Sequence, residues 1–462
     1  MARSSVCRQV ATWPRSFDCR TCRRWTGKRS RSKGLSRKAQ LLSGGMDSRD
    51  DSRAFAGEPN GRSLHLCIVL PPIEPYSPGG GAIATIVRNM ALVWGSQGHR
   101  VTILAPPDEH TPYHEGRYVA IQVPTPLASR VPMEIGKRLV GRAGSVVGGL
   151  RRWDWHRYGS YLGAVKQALA SLDGPPDVVI AHNDLQLLGA LGPRPEGERS
   201  VLWLHNTVRT HRTDGGRLLA SADAIVAVSR FVGSWTEREY DLPAGSVRTV
   251  HNGVDLERFH PSTTHGQPSS PVRVLCHGRL DPSKGFHLAV DAVRRLRNAG
   301  RDVTITLAGG SQAFGISAVE AQHYRDTLLD SLAAAGGTYL GRVAPDDMAE
   351  LLRHHAIACA PSLFEDPFPL SVLEALASGC AVVASRRGGL PEMCDDAATL
   401  FDPDEEGALE SALATLVDNP EFRQQAQVAA RERASGFPWS ATAAGILDAC
   451  GLGHAKSQYP NG

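Results

Sequence analysis

Short runs of consecutive apolar residues alternate with longer amphipathic segments from residue 63 to near the end of the chain. Apolar runs of about four to eight residues bounded by turn residues are typical of buried strands in parallel sheets. Segments with apolar positions three and four apart are typical of helices. The regular alternation therefore predicts repeated strand–helix units, and we expect an α/β protein with doubly wound parallel sheets.

The first half of the chain predicts one long helix, over residues 82–97, among a series of strands. These strands are predicted at residues 63–70, 100–105, 118–123, 176–183, 200–206, 222–229 and 246–254. A segment rich in Ser and Thr, with one glycine and two prolines, follows at residues 262–271 and has the composition of a linker.

The second half repeats the alternation after this linker. Strands are predicted at residues 272–276, 303–308, 338–340, 356–360 and 381–384. Helices are predicted at residues 286–299, 323–335, 345–354, 370–378, 408–417, 420–435 and 437–447. At roughly 100 to 200 residues per domain, a chain of 462 residues predicts two or three domains. We expect a tail over 1–62, a first domain over 63–260, a second over 261–430, and a crossover helix with a tail over 431–462.

Charge separates the tail from the rest of the chain. Residues 1–45 carry twelve Lys or Arg and one acid, a net +11, while the whole chain carries +4, so the remainder is −7. This Arg- and Ser-rich composition predicts disorder and also fits a transit peptide, or binding to nucleic acid or anionic lipid by charge alone. We favour a tail with no folded role, including translation upstream of a true start at Met46, and expect no nucleic-acid partner.

Membrane contact and location follow from other segments. No run of about 18 apolar residues is present, so no transmembrane helix is expected. Cysteines such as Cys67 and Cys380 lie in apolar runs, which predicts reduced thiols and a cytoplasmic protein. Residues 130–157 hold seven Lys or Arg and two Trp, which is typical of a solvated helix pair or of an acceptor-side, membrane-surface segment. Peripheral membrane contact is therefore a further expectation.

The stretch from Ala360 to Glu392 carries the strongest chemical signal. It predicts a strand end, a rigid loop with two prolines, a helix from Leu370, a strand and a turn. Loops at the carboxyl ends of parallel strands are where ligands bind, and helix N-terminal amides suit an anion such as a diphosphate. Asp366 and Glu374 flank this helix start at a spacing of eight.

Three further groups of candidate residues lie at or after the ends of predicted strands. Three glycines at 79–81 lie between a strand and a helix, an arrangement that cradles phosphate or serves packing alone. Arg279 and Lys284 lie in a turn directly after a buried strand, where their charges suit a phosphate. His182 and His205 each end a strand run, so both are candidates for a site at the sheet edge.

In order and spacing, these segments resemble the family-4 retaining glycosyltransferases, also called glycosyl transferases group 1. The resemblance rests on residues 360–392, 251–261, 278–285 and 77–82, and it covers the chain from about 63 to 447. It implies the GT-B fold, in which two Rossmann-like doubly wound domains face a central cleft. The family usually has Glu where this chain has Asp366, and the adjacent Glu365 is an alternative for that role.

The resemblance also implies roles for individual residues. Arg279 and Lys284 would hold the donor diphosphate, Glu374 the ribose hydroxyls, and Asp366 would lie near the transferred sugar. His182 is the first choice for the histidine that contacts the donor sugar, and His205 is the second. With His182, Arg279, Lys284 and Asp366 as catalytic residues, the remaining expected donor contacts are Gly80, Gly81, Gly309, Phe368, Pro369, Leu370, Ser371 and Glu374.

The resulting hypothesis is a retaining enzyme that moves a hexose-type sugar from a nucleotide diphosphate sugar to an acceptor hydroxyl. The acceptor would be a glycan, a lipid-linked molecule or a small molecule. No cofactor or metal is expected, because Arg, Lys and helix amides can neutralise the leaving diphosphate. The alternatives are a nucleotide-sugar epimerase or phosphorylase of the same fold, and a non-catalytic glycan- or nucleotide-binding scaffold, which Asp366 keeps open.

Overall fold

A computed structural model of the chain describes residues 62–78, 80–122, 147–209, 215–262, 270–310 and 317–453. Within these ranges, seven parallel strands form one sheet in the order β3-β2-β1-β4-β5-β6-β7, which we call the first lobe together with its helices. Its strands are β1 (His65–Val69), β2 (Arg100–Ala105), β3 (Arg117–Ala120), β4 (Val178–His182), β5 (Arg199–Leu204), β6 (Ala224–Ala227) and β7 (Val247–Thr249).

A second parallel sheet, the centre of the second lobe, has six described strands in the order β10-β9-β8-β11-β12-β13. Its strands are β8 (Val272–His277), β9 (Val303–Ala308), β10 (Thr338–Tyr339), β11 (Ile357–Ala360), β12 (Ala381–Ser385) and β13 (Ala398–Phe401). In both sheets the central strands are almost entirely buried, as their continuous apolar runs predict.

Helices connect the strands in both lobes. Those of the first lobe are α1 (Ala82–Ser96), α2 (Val147–Ala170), α3 (Leu185–Leu191), α4 (Gly215–Leu219) and α5 (Arg230–Glu239). Those that follow are α6 (Phe286–Asn298), α7 (Ala318–Ala334), α8 (Pro345–Arg353), α9 (Leu370–Ala377), α10 (Leu390–Cys394), α11 (Ala408–Asp418), α12 (Pro420–Ser435) and α13 (Trp439–Ala449). None of the described helices has both the length and the apolar character needed to cross a bilayer.

The predicted elements that fall within the described residues are present, but the sequence pattern missed several short elements and the second half of helix α2, since no helix was predicted over residues 158–170. Strand β13 and helices α3, α4, α5 and α10 were not predicted, because each is short or carries no long apolar period. Helix α7 begins at Ala318 rather than at 323, because Ser317 and Glu320 form a capping box there. The predictions for the basic tail and for residues 130–146 lie outside the described residues.

The last helix, α13, packs on the first lobe. The Trp94 side chain of α1 donates a hydrogen bond from Nε1 to the Ala443 carbonyl at 3.4 Å. The amide of Val254 donates to the Phe437 carbonyl at 2.8 Å just before α13 begins. The end of the chain therefore ties the second lobe back to the first.

The carboxyl edges of the two sheets face each other. Arg342, after β10, donates to the Pro78 carbonyl, after β1, at 2.5 Å. Asn252, after β7, donates from Nδ2 to the Phe368 carbonyl, after β11, at 3.1 Å. Because these loops all follow strand ends, the cleft between the lobes lies where parallel sheets place their ligand sites.

Candidate active site

The loop after β8 is shaped by glycines that allow close backbone contact. Gly278 has φ of 143° and Gly309 has φ of 145°, both in the region that favours glycine. A Cβ on Gly309 would lie 1.7 Å from the Gly278 carbonyl oxygen, so no side chain fits there. Packing of two backbones thus explains Gly309, and its expected contact with the donor stays a prediction.

A short 3₁₀ turn, Pro282–Lys284, places Lys284 over the loop that follows β11. Asp281 caps the turn, and its Oδ1 accepts from the Ser283 amide at 3.0 Å. The Leu363 amide donates to the Ser283 carbonyl at 2.7 Å. Gly285, with φ of 67°, lies so close to Pro361 that a Cβ would be 1.9 Å from the Pro361 carbonyl oxygen. The two loops are therefore held together by backbone contacts.

Lys284 and Asp366 form a buried ion pair at this junction. Lys284 Nζ donates to Asp366 Oδ2 at 2.7 Å, and the side chains are 14% and 6% exposed. The Ser362 hydroxyl also donates to Asp366 Oδ2, at 3.2 Å. Glu365 points elsewhere, since its carboxylate accepts from the Gly388 amide. The structure therefore joins Asp366, and not Glu365, to the lysine.

Arg279 supplies a second positive charge on the same loop. Its Nε lies 3.6 Å from Asp281 Oδ2, and its side chain keeps 31% exposure. Asp281 is almost fully buried, with 2% exposure. The buried carboxylate orients the guanidinium while leaving it accessible from solvent, which suits a residue that binds a phosphate.

Helix α9 starts beside this pair with Pro369 as its N-cap. No side chain caps α9, and its first turn contains no acidic residue, so its positive end is not neutralised locally. Leu370 and Ser371, the first helical residues, are half-buried. Their position fits the predicted anion-binding helix start.

Glu374 lies in the second turn of α9, beyond the residues that form the helix start. Complementing the helix dipole is therefore a poor account of this residue, because that effect falls off within the first turn. Its Oε2 lies 3.5 Å from Nε2 of His277, which ends β8. Glu374 thus stands at the junction of α9 and β8, on the same sheet edge as Lys284 and Asp366.

Phe368 was expected to contact the donor, but its side chain packs elsewhere. It is 3% exposed and stacks on His251 with ring centroids 4.8 Å apart and planes 14° apart. The Phe437 ring contacts the Phe368 ring edge-on, with ring centroids 5.6 Å apart. The Phe368 side chain therefore holds the loop against the first lobe and the start of α13, and its carbonyl is already bonded to Asn252.

The glycine loop of the first lobe binds a carboxylate of its own chain. The Gly81 amide donates to Glu74 Oε1 at 2.7 Å, directly before α1. Burial raises the pKa of Glu74, and hydrogen bonds from the backbone of Gly81 and Ala84 only partly offset this. A Cβ on Gly80 would meet the Pro75 carbonyl oxygen at 2.5 Å. Local packing thus accounts for both glycines, and their expected donor contacts stay predictions.

His182 and His205 lie side by side at the ends of β4 and β5. Nδ1 of His182 is 2.8 Å from Nε2 of His205, so one donates to the other. Burial lowers the pKa of His182 to about 3, and burial together with His182 lowers that of His205 well below its usual value. His182 has no exposure and His205 has 7%. The sequence ranked His182 first as the sugar contact, but the structure places His205 nearer the surface.

Glu392 joins the two lobes and was given no role from the sequence. Its Oε1 accepts from the Arg230 amide at 2.9 Å, at the start of α5, and is 2.7 Å from His251 Nε2. Burial raises the pKa of Glu392, but the hydrogen bonds from His251 and the Arg230 amide outweigh it, so the pKa is lowered overall. A carboxylate of the second lobe therefore caps a helix of the first.

Metal ligands are not gathered near this cleft. Among the described residues, no group of three or more His, Cys, Asp or Glu side chains is arranged to hold a metal ion. The expectation that the reaction needs no metal stays a prediction.

Two family models match the chain, one for each lobe. The model described as Glycosyltransferase Family 4 matches residues 79–258, and the model described as Glycosyl transferases group 1 matches residues 262–433. A D-inositol 3-phosphate glycosyltransferase of Saccharomonospora viridis is 31% identical over 52% of this chain and 58% of its own length. The match therefore spans little more than half of that relative.

A longer match and two solved structures extend the comparison. A GDP-mannose-dependent alpha-(1-6)-phosphatidylinositol dimannoside mannosyltransferase of Mycobacterium tuberculosis is 26% identical over 81% of this chain and 94% of its length. Sucrose-phosphate synthase of Thermosynechococcus elongatus superposes with a TM-score of 0.64 at 18% identity, over 83% of this chain and 98% of the other. Anabaena HepE in complex with UDP gives 0.60 at 17%, over 83% and 99%. These likenesses confirm the predicted two-lobed fold.

Proposed function

The chain belongs to the group 1, family 4 glycosyltransferases, which have the GT-B fold, and on this premise we propose that it transfers a hexose-type sugar from a nucleotide diphosphate sugar to an acceptor hydroxyl. The acceptor is a glycan, a lipid-linked molecule or a small molecule. The relatives named above act in sugar transfer, and one solved neighbour holds UDP, which supports both the reaction class and the donor class.

One observation carries the proposal. In the second lobe, two cationic side chains lie where the loop after β8 contacts the loop that leads into α9, and the N-terminus of α9 has no side-chain cap. Arg279 and Lys284 lie on the loop after β8, and that loop is bonded directly to the segment that leads into α9. A diphosphate leaving group gains negative charge as its bond to the sugar breaks. Donors fixed in place beside that charge lower the barrier more than any other single effect.

The roles of the neighbouring acids follow from their positions. Asp366, held by Lys284 and Ser362, would accept hydrogen bonds from hydroxyls of the transferred sugar. Glu374, one and a half turns into α9 from Pro369, would bind the ribose hydroxyls. When the diphosphate bonds here, Lys284 would share its charge between Asp366 and a phosphate oxygen.

We propose that the reaction retains the configuration of the sugar. The bond from the anomeric carbon to the diphosphate oxygen breaks, and the acceptor oxygen bonds to the same face of that carbon. The acceptor proton passes to a phosphate oxygen of the departing nucleotide, so the atoms and charges balance without an enzyme nucleophile. Arg279, Lys284 and the α9 amides would replace a metal ion in neutralising the leaving group.

We further propose a reducing, cytoplasmic location, with peripheral membrane contact if the acceptor is lipid-linked. The described cysteines Cys67, Cys276, Cys359, Cys380, Cys394 and Cys450 are all free and buried. Buried free thiols are typical of proteins that fold in reducing compartments.

The test is a thermal-shift screen of the full chain with UDP-, GDP- and ADP-sugars, followed by product analysis with the donor that binds. A donor at about a hundred times its Kd should stabilise the native state by about 2.7 kcal/mol. We expect a stabilising donor, a transferred sugar of unchanged anomeric configuration, and equal turnover with and without EDTA. No shift with any nucleotide sugar, or an epimerised donor without acceptor, would contradict the proposal.

A further inference from the structure

His277 ends strand β8, and its side chain is 8% exposed. Alternate residues of a strand point to opposite faces of the sheet, so His277 shares a face with Leu275 and not with Cys276. Leu275 belongs to the core that contains the buried residues of α9, while Cys276 belongs to a separate core with buried residues of α6. A polar ring therefore lies in the layer between the second sheet and α9.

A small cavity adjoins this ring. It lies between β8, β11 and the first two turns of α9, has a volume of about 10 Å³, and is lined by His277, Ser371 and Ala375 among others. That volume is about what one water molecule needs, so no part of a nucleotide fits there. A contribution of His277 to ligand binding therefore has to pass through a neighbouring group.

The Glu374 carboxylate is that neighbouring group. Its Oε2 lies 3.5 Å from His277 Nε2, and the Glu374 side chain keeps 23% exposure. Among the described residues, no other side chain forms a hydrogen bond or an ion pair with this carboxylate. One side of the carboxylate therefore faces a buried imidazole, while the other side is accessible from solvent.

The approach of these two atoms indicates which nitrogen of the ring carries a proton. His277 Nε2 is buried and has no hydrogen-bond partner. A bare Nε2 would set its lone pair against those of a carboxylate oxygen, whereas a protonated Nε2 places a donor opposite an acceptor. At 3.5 Å the contact is longer than a normal hydrogen bond, but hydrogen bonds in active sites often shorten when a ligand binds. We therefore assign a proton to Nε2.

The other acid at this site is supported in a similar way. Lys284, in the turn after β8, donates to Asp366 at 2.7 Å from a largely buried position. Asp366 and Glu374 thus each face a donor that comes from the end of β8 or from the turn that follows it. The same strand end is placed to orient both carboxylates that flank the start of α9.

We propose that His277 is a positioning residue, which bonds through Nε2–H to Glu374 Oε2 and so turns the carboxylate toward the ribose hydroxyls of the donor nucleotide. This bond occupies one lone pair of Oε2 and leaves Oε1 and the other Oε2 lone pair for two neighbouring hydroxyls. Without the imidazole, the carboxylate is free to rotate into orientations that accept from only one of them. The inference rests on the proposed function, which places the ribose at Glu374.

The experiment compares ribonucleotides with deoxyribonucleotides. Calorimetry on the full chain gives the Kd for UDP, GDP and ADP and for their 2′-deoxy counterparts. Wild type should bind its preferred ribonucleotide about tenfold to a hundredfold more tightly than the deoxy form, the cost of one lost hydrogen bond to a charged group. His277→Val should lower this preference to about threefold or less, by weakening the ribonucleotide while the Kd of the deoxy form stays within about twofold.

Two conservative variants separate positioning from packing. His277→Gln places an amide N–H near the position of Nε2 and should keep the ribose preference. His277→Asn reaches only the position of Nδ1 and should lose it. The control is His354→Val at the end of α8, which removes an exposed imidazole that lies 2.8 Å from Glu350 and should match the wild type. Melting curves check that each variant is folded.

Kinetics with the sugar nucleotide provide a second readout. The ribose contact is made in the ground state and in the transition state alike, so its loss should raise KM and leave kcat nearly unchanged. His277→Val should raise KM by about tenfold with kcat within about twofold of wild type. In the Glu374→Gln background, His277→Val should not change the ribose preference further, because the residue through which it acts is already altered.

Each outcome supports or overturns the inference. A ribose preference that is unchanged in His277→Val overturns the role of His277 and leaves the proposed function standing. If His277→Val does not fold, equal preferences in His277→Gln and His277→Asn overturn it. A wild type that binds the ribose and deoxyribose forms equally overturns it without any variant, although diphosphate binding stands. If the wild type binds none of these nucleotides, the proposed function fails, and the role of His277 fails with it.

Discussion

The two lobes place groups of different charge at the carboxyl edges of their sheets, although both lobes are built from parallel strands, loops and helices. The first lobe contributes a pair of neutral histidines and a glycine loop whose amide is bonded to Glu74. The second contributes Arg279 and Lys284 beside an uncapped helix start. We interpret the first edge as a site for an uncharged sugar and the second as a site for a diphosphate.

The comparison teaches that a glycine loop before a helix is not sufficient for an anion site. Helix α1 begins after three glycines, yet a carboxylate seven residues away fills the amide that a phosphate would need. Helix α9 begins after Pro369, with no glycine at its start, and among the described residues no side chain caps it.

The largest expected effect comes from removing charge from the second lobe. Arg279→Ala should lower kcat by about a hundredfold to a thousandfold, the usual cost of losing one donor to a developing negative charge. The variant should still fold, with a melting temperature lowered by the loss of the guanidinium beside the buried Asp281 carboxylate, so activity is measured well below that temperature. Steady-state kinetics with the donor from the screen provide the measurement.

The matched control is Arg294→Ala on the outer face of α6, where Arg294 pairs with Asp291 at 2.9 Å and both side chains are about half exposed. It removes the same charge from the chain and should leave kcat unchanged. If both variants lose activity equally, the effect belongs to net charge and not to the site. Full activity in Arg279→Ala would remove this residue from the mechanism.

The next effect concerns Asp366, at the position where the family resemblance leads us to expect Glu. Asp366 is 4% exposed and its carboxylate already meets Lys284 at 2.7 Å, so an added methylene has no free space. Asp366→Glu should lower kcat/KM by about tenfold, since overpacking costs about 1 to 3 kcal/mol. Asp347→Glu, on the exposed start of α8, is the control. A large gain in activity would instead indicate a weakened native site.

The strands of both lobes could be predicted because each is a buried apolar run. Strands β2 and β9 begin and end at the predicted residues. Strand β13 was missed because Ala398–Phe401 is an edge strand of only four residues, and three of them are partly exposed. Helix α5 was missed because charged residues interrupt its short apolar pattern.

The sequence singled out residues of the candidate site, but it did not predict which of them contact one another. The spacing and the family resemblance singled out Lys284 and Asp366, but their ion pair spans 82 residues and depends on how the turn at 282–284 docks. The histidines were expected at neighbouring strand ends, yet only the fold shows that His205 covers His182. The side-chain direction of Glu74 depends on a proline-rich loop, which sequence patterns do not determine.

The contact between the lobes predicts a smaller, pH-dependent effect on stability. Glu392→Gln should lower the free energy of unfolding by about 1 to 3 kcal/mol near pH 7, because a buried acceptor for the Arg230 amide and His251 is weakened. The pKa of Glu392 is lowered in the folded state, so its contribution is present above the unfolded value and is lost as pH falls through the folded value. The difference between wild type and variant should therefore shrink below about pH 4.5.

Urea titrations at several pH values measure this difference. Glu432→Gln, on the exposed face of α12, is the control and should equal the wild type throughout. A loss that is the same at low and neutral pH would mean that the charge of Glu392 is irrelevant and that only its shape holds the lobes together.

The smallest expected effect tests the comparison between the lobes most directly. If the diphosphate binds to the second lobe alone, opening the Gly81 amide by removing the Glu74 carboxylate should leave the Kd for UDP or GDP, measured by calorimetry, within about twofold of wild type. Glu74→Ala should cost about 1 kcal/mol of stability as a lost cap. Glu74→Gln should cost less than that at pH 7, because burial raises the pKa of Glu74 and so disfavours its charged form. Tighter nucleotide binding in either variant would mean that Glu74 competes with the diphosphate, and that the first lobe shares the anion site after all.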